Sequence, residues 1–218
     1  MLYTMMNRLF LFKLSILLNV CFFIGTCILG YVYRDKAFQK LVHLKGKPTI
    51  VMFGNSITAQ GKWVELLQRT DVMNSGLAGF CTHHFLDFIE EVVISHQPKV
   101  CFVMGGINDI TVGVAPEIIQ DNYRKILEKI QAHDIIPIVT LTLYEQNDPV
   151  SKKKVDELNQ FLIQYCTLHQ IKYIDINPQI TDTKGLKPEF AIDKTHLNAK
   201  AYQIWSHEIA KVLQQMKI

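Results

Sequence analysis

A run of apolar residues, Ile50-Val51-Met52-Phe53, stands between Pro48 and Gly54, and runs of the same kind return within Lys99–Met104 and Ile135–Leu143. Runs this short have strand length, and without a polar face they must be covered on both sides. Between them lie segments with helical spacing. Thr82–Ser95 places Phe85, Phe88, Ile89 and Val92 three and four apart, and Pro116–Ala132 does the same with Ile118, Ile119, Tyr123, Ile126 and Ile130. Shorter or later elements complete the series: a helix over Lys62–Arg69, a brief strand from Val72-Met73, a helix over Val150–Leu168, a strand over Ile171–Ile176 and a closing helix over Leu197–Met216. Doubly buried strands alternating with helices predict a parallel sheet with helices on both faces. The right-handed crossover rule then leaves few topologies. The expected fold is α/β, a three-layer α/β/α domain with a five-stranded parallel, flavodoxin-like sheet in the order 2-1-3-4-5. Pro137 inside the fourth run predicts an irregular start to that strand.

The chain has 218 residues, and its formal charge of +3 is unevenly spread. Arg8, Lys13, Arg34, Lys36 and Lys40 against Asp35 give the first forty residues +4, so the remainder is close to neutral at −1. A nearly neutral domain lacks the basic footprint of a nucleic-acid binder. The twenty residues Leu14–Tyr33 are apolar almost throughout and have basic residues on both flanks. They are long enough to span a bilayer as a helix and lack a small-residue cleavage site. The expectation is an uncleaved signal anchor in 1–40, a lipid bilayer contact through residues 14–33, and a domain at 41–218 on the extracytoplasmic side. Cys81, Cys101 and Cys166 are an odd set without close spacing, which argues against a disulfide framework or a zinc site and for buried packing.

Four segments carry chemistry: Gly54-Asn55-Ser56-Ile57-Thr58, Gly76-Leu77-Ala78-Gly79, Gly105-Gly106-Ile107-Asn108-Asp109 and Asp193-Lys194-Thr195-His196. Ligands in such folds bind beyond the carboxyl ends of the strands, where all four segments fall. A serine hydroxyl needs a base to become a nucleophile, and His196 is a base suited to neutral pH. Asp193, three residues earlier, is within one turn of the other ring nitrogen and can fix the tautomer. The N–H groups of Ser56 and Gly79 and the side-chain amide of Asn108 are the candidate donors to an oxyanion. Taken singly, each segment is also an ordinary turn or helix cap; the order and the strand-end placement unite them. Asp175 is a rival triad acid but falls inside the expected strand Ile171–Ile176, and Tyr144 and Glu145, at the end of the fourth strand, are candidates to border the substrate. His83 and His84, as helix neighbours, are expected to face different ways, and Cys81 lies near enough to Gly79 to touch the pocket.

Together these segments resemble the SGNH, or GDSL-like, hydrolase superfamily over residues 49–213, with Ser56, Gly79, Asn108 and the Asp193-x-x-His196 pair in its four blocks. The resemblance implies a serine esterase or lipase-like enzyme without a metal or other cofactor. Its substrates would be small acyl esters: acetylated glycans, lysophospholipids or thioesters. An O-acyltransferase using the same triad, or a non-catalytic binding module, would carry the same fold. One position departs from the family pattern. The residue before the serine is usually Asp, which is not the triad acid, and here it is Asn55. The α/β-hydrolase elbow is disfavoured, because Thr58 stands where Gly-x-Ser-x-Gly needs its last glycine.

Overall fold

In the computed structural model, residues 46–218 are described throughout, and 15, 16, 18–20 and 22–26 of the earlier part. The chain divides into two units, Met1–Leu44 and Lys45–Ile218. The described residues of the first unit are helical and exposed. Among the described residues, no helix is long and apolar enough to cross a membrane. The expected span Leu14–Tyr33 falls in large part outside the described residues.

The second unit is built on five parallel strands, β1 (Ile50–Gly54), β2 (Val72–Gly76), β3 (Val100–Met104), β4 (Ile136–Thr140) and β5 (Lys172–Ile174), in the order β2-β1-β3-β4-β5. Around them lie α1 (Ser56–Gln60), α2 (Trp63–Leu67), α3 (Thr82–Val92), α4 (Ile107–Val112), α5 (Pro116–Gln131), α6 (Pro149–Leu168), α7 (Asn177–Ile180) and α8 (Ala199–Met216). Every residue of β1 and β3 is buried, as runs without a polar face require. Phe53 of β1 meets Phe85 of α3 with ring centroids 4.8 Å apart. On the other side, Trp63 of α2 packs edge-on against Trp205 of α8 at 4.8 Å. Burying side chains of this size contributes about 1.5–3 kcal/mol each. Proline opens α5 and α6 at a position where the missing N–H costs nothing. Asp148 caps α6 by accepting the Ser151 N–H at 2.8 Å.

Register fixes where the loops emerge. Gly54 at the end of β1 pairs with Gly76 of β2 and Met104 of β3. The three strands therefore end level, with β1 in the middle. Ser56 follows β1 by two residues, Gly79 follows β2 by three, and Asn108 follows β3 by four. Pro137 fits without loss. The Ile136 N–H donates towards β3, to Lys99 O at 3.0 Å. The next donor along would face β5, whose pairing starts only at Ile138↔Lys172.

Several local expectations are corrected. Ile118, expected on the core face, is 51% exposed, and Phe88, at helical spacing with Phe85 and Ile89, is 40% exposed. On α5 the buried stripe runs through Ile119, Tyr123, Ile126, Leu127 and Ile130, and Ile118 is turned away from it. Phe88 covers Phe80 instead, with centroids 5.3 Å apart. The fourth strand stops at Thr140 rather than Leu143. Beyond it, Asn159 of α6 stands in for a strand partner, accepting the Thr142 N–H at 2.8 Å and donating to Thr142 O at 2.9 Å. His196 does not follow β5 directly. The intervening chain forms α7 and a two-stranded antiparallel pair, β6 (Thr181–Asp182) and β7 (Gly185–Leu186). This insertion docks on the loop after β4 through the Asn147 N–H to Lys184 O, 2.8 Å.

Candidate active site

Asn55 and Ser56 make the step from β1 into α1. Asn55 is fully buried, and its Oδ1 accepts the Ile57 N–H at 3.0 Å, capping the helix that Ser56 begins. As the first helical residue, Ser56 has an N–H without an intrahelical acceptor, so it faces outward. The Ser56 hydroxyl lies 2.9 Å from His196 Nε2. His196 Nδ1 lies 2.8 Å from Asp193 Oδ2 and 3.1 Å from Oδ1. The three side chains thus form one hydrogen-bonded line.

The Asp193-x-x-His196 loop is shaped by that aspartate. Asp193 Oδ1 accepts the N–H of Thr195 at 2.8 Å and of His196 at 2.7 Å, a turn in which the carboxylate folds its own chain back. These backbone donors, then the His196 ring, lower the Asp193 carboxyl to about 2 although it is exposed. It is therefore an anion throughout the range in which a histidine works as a base. Behind the loop, Thr195 Oγ1 donates to Glu145 Oε1 at 2.8 Å, and Gln146 N–H to Lys194 O at 2.8 Å. Glu145 is 4% exposed, and Lys194 Nζ stands 3.7 Å from its Oε2. Sequence reading placed Glu145 only at a strand end. Its part in supporting the loop depends on a contact fifty residues away in sequence, which no local pattern encodes.

Gly79 sits in a turn closed by the Phe80 N–H to Leu77 O at 3.2 Å, with φ of +79°. A Cβ here would meet nothing within 4 Å, so the backbone angle rather than space calls for glycine. Asn108 Nδ2 carries two hydrogens, and one goes to Phe80 O at 2.9 Å. The Gly79 turn and the Asn108 amide are thereby tied to each other, with the second amide hydrogen left for another acceptor. Gly106, which leads into α4, has φ of +98°, and a Cβ would stand 2.6 Å from Leu158 Cδ2. The loop is pinned on both sides of Gly105: its N–H donates to Tyr123 Oη at 2.8 Å, and its carbonyl accepts from Thr142 Oγ1 at 2.7 Å.

The remaining candidates lie elsewhere. Asp109 does not cap its own helix. It is fully buried and accepts the Thr82 N–H at 3.0 Å on each oxygen and the Thr82 hydroxyl at 2.6 Å, so it holds the start of α3. Burial raises its pKa, against the pull of those hydrogen bonds. Asp175 lies past the end of β5, where it accepts the Asn177 N–H at 3.0 Å. Tyr144 donates to Asp156 on α6. Cys81, Cys101 and Cys166 are buried free thiols. His83 and His84 do not point apart: their ring centroids are 3.8 Å from each other. They begin α3, where no preceding turn crowds them, and His84 Nδ1 accepts the Cys81 N–H at 3.1 Å.

A five-stranded parallel sheet in the order 2-1-3-4-5 with a Ser–His–Asp line at its carboxyl edge is the layout of a hydrolase of the SGNH kind. The chain belongs to the GDSL-like lipase/acylhydrolase family, whose sequence pattern matches residues 52–204. A GDSL-like lipase from Bacteroides thetaiotaomicron has the same fold, with a TM-score of 0.73 at 20% identity over 84% of this chain and 98% of that one. An acetyl-xylooligosaccharide esterase from Geobacillus stearmophilus is similar at a TM-score of 0.65 and 18% identity, over 79% and 95%. Among curated sequences, an N-acylneuraminate cytidylyltransferase from Streptococcus agalactiae serotype V is 24% identical over 119 residues, 53% of this chain. The chain spans 28% of the length of that relative.

The departure at position 55 has a structural consequence. Asn55 Nδ2 is buried without a hydrogen-bond partner, while Oδ1 does the capping. An aspartate here would keep that cap and place a charge at a helix N-terminus, where it is favoured. Asn55→Asp is expected to leave kcat/KM within about tenfold, or about 1.4 kcal/mol in the barrier. The check is kcat/KM across pH for both proteins. A wild-type rate near zero that the aspartate restores would mark a decayed site.

Proposed function

We propose that the protein is a serine esterase that removes small acyl groups, acetyl foremost, from hydroxyls of a glycan through an acyl-enzyme on Ser56. The observation that carries this reading is the line from Ser56 Oγ through His196 to Asp193, at 2.9 and 2.8 Å. As Ser56 Oγ bonds to the ester carbonyl carbon, His196 Nε2 takes its proton, and Asp193 holds the resulting imidazolium. The carbonyl electrons move onto oxygen, where the N–H groups of Ser56 and Gly79 and the free hydrogen of Asn108 Nδ2 receive them. When the carbonyl re-forms, the alcohol leaves with the proton from His196. Water then repeats the sequence on the acyl-serine and releases the carboxylic acid, so each turnover consumes one ester and one water.

Two considerations support a sugar ester. The names of the acetyl-xylooligosaccharide esterase and the N-acylneuraminate cytidylyltransferase both carry an acylated sugar. A groove of about 510 Å³ also lies beside the catalytic loop, with Ile192 and Leu197 in its wall but none of Ser56, Asp193 and His196. Its lining mixes Gln60, Glu65 and Gln203 with Leu66 and Tyr202, a combination suited to sugar hydroxyls and ring faces.

The test is turnover of p-nitrophenyl acetate and of acetylated xylo-oligosaccharides, together with fluorophosphonate labelling. Acetate release with the label on Ser56 is expected. No turnover of any acyl ester would sink the reading, and transfer to a sugar acceptor without hydrolysis would replace it with an acyltransferase. Within the mechanism, Asn108→Ala is expected to lower kcat by about 10²- to 10³-fold with little change in KM, because the donor acts on charge that develops in the transition state. A change in KM alone would make Asn108 a substrate-binding residue.

The apolar stretch Leu14–Tyr33 is proposed to hold the chain to a bilayer as a single-pass anchor, with the catalytic domain outside the cytoplasm. Full-length protein is expected to stay in the membrane fraction after a high-salt wash, since burial of twenty apolar residues is not screened by salt. Release of uncleaved protein by salt alone would refute the anchor.

A further inference from the structure

The turn that follows Gly79 carries three groups that the serine chemistry does not use. Cys81 Sγ and one ring nitrogen from each of His83 and His84 lie within 4.8 Å of one another. We infer that Cys81, His83 and His84 form a three-ligand site for a thiophilic divalent cation of the zinc type, with its fourth position open to water.

The donor set points to the class of ion. One thiolate and two imidazoles suit zinc, cobalt and their neighbours, whereas magnesium and calcium select oxygen donors. Zinc bonds of about 2.0–2.3 Å in a tetrahedron place the donor atoms roughly 3–4 Å apart. Side-chain rotation of about an ångström therefore closes the present spacing onto an ion. The two imidazoles already share one place, with centroids 3.8 Å apart.

The backbone between the ligands is fixed by groups that do not ligate. Thr82 lies between Cys81 and His83, and both its N–H and its hydroxyl are held by the buried Asp109 carboxylate. Asn122 Nδ2 in turn donates to Thr82 Oγ1 at 2.9 Å. Supports of this kind set the orientation of ligands around a metal. Cys81 is 5% exposed and His83 is exposed, so the cluster reaches from the packed interior to solvent, which gives an ion a way in.

The same residues also cap a helix, and binding must displace that arrangement. His84 Nδ1 accepts the Cys81 N–H. Ligation through Nδ1 takes the lone pair that accepts this bond. Ligation through Nε2 moves the ring proton to Nδ1 and loses the bond as well. Binding thus exchanges one cap hydrogen bond and the Cys81 thiol proton for the coordination bonds, and no oxidation change is involved. The segment that tightens around the ion adjoins Phe80, whose carbonyl holds Asn108.

The test is a cobalt titration of the full-length chain in a thiol-free buffer, followed by displacement with zinc. It does not use esterase activity. Wild type is expected to show a sulfur-to-cobalt charge-transfer band with intense visible bands of a tetrahedral ion, and zinc should erase both. Cys81→Ser should abolish the charge-transfer band. His83→Ala should weaken cobalt binding by at least about tenfold. Its thermal melting should be unchanged, because this ring is exposed. Absence of the band in wild type, its persistence in Cys81→Ser, or wild-type affinity in His83→Ala would each overturn the site.

Discussion

Ser56→Ala is expected to reduce turnover of a short-chain ester by about 10⁴-fold or more, as removal of a triad nucleophile does elsewhere. The substitution deletes a single oxygen, whose hydrogen bond goes to His196. The Asn55 cap, the start of α1 and the backbone N–H of residue 56 stay in place. Stability should therefore change by no more than about 0.5 kcal/mol, the range of a substitution that removes no packing. The measurement is kcat for both proteins beside their urea midpoints, with fluorophosphonate labelling as a control. Full activity in the variant, with the label on another serine, would assign the chemistry elsewhere. Loss of activity together with loss of fold would show a structural serine instead.

Asp193→Asn is expected to lower kcat by about 10⁴-fold while leaving the loop nearly intact. Asn Oδ1 can still accept the Thr195 and His196 N–H groups, which Asp193 Oδ1 accepts at 2.8 and 2.7 Å. What changes is the atom facing His196 Nδ1. A carboxylate oxygen at 2.8 Å requires the proton on Nδ1 and leaves Nε2 free to receive the proton of Ser56. An amide that turns its N–H₂ to that nitrogen favours the opposite tautomer, with the base at the wrong end of the ring. The signature is a collapse of kcat with a nearly unchanged melting temperature. A variant within about tenfold of wild type would show that the aspartate only shapes the loop.

How much of this was legible from sequence varies with the range of the interaction that decides it. The strand order and the level ends of β1, β2 and β3 follow from apolar runs and their crossovers. That is why segments distant in sequence could be assigned to one edge of the sheet. The Asp193 turn is local, since its spacing to His196 is itself the geometry. Other features depend on partners that no local pattern names. Glu145 meets Thr195 across fifty residues, and Asp109 serves α3 rather than its own helix. The β6–β7 pair has two residues in each strand, too few for any period to show. His83 and His84 broke the rule for helix neighbours because that rule describes helix interiors, and they stand at a first turn. Ile118 is as apolar as Ile119, and only the packing of α5 chooses between them.

The Ser56–His196 contact joins residues 140 positions apart, so the proposed nucleophile is made well before its base. Synthesis proceeds from the amino end at about 5–20 residues per second, so the serine precedes its base by roughly 7–28 seconds. Throughout that interval the hydroxyl lacks the imidazole that is placed to take its proton. A polypeptide clipped between Ile174 and Asp193 keeps the residues of all five strands, lacks the base, and is expected to be silent towards esters. Under the proposed mechanism, competence is thus conferred only once the residues beyond the fifth strand have been made.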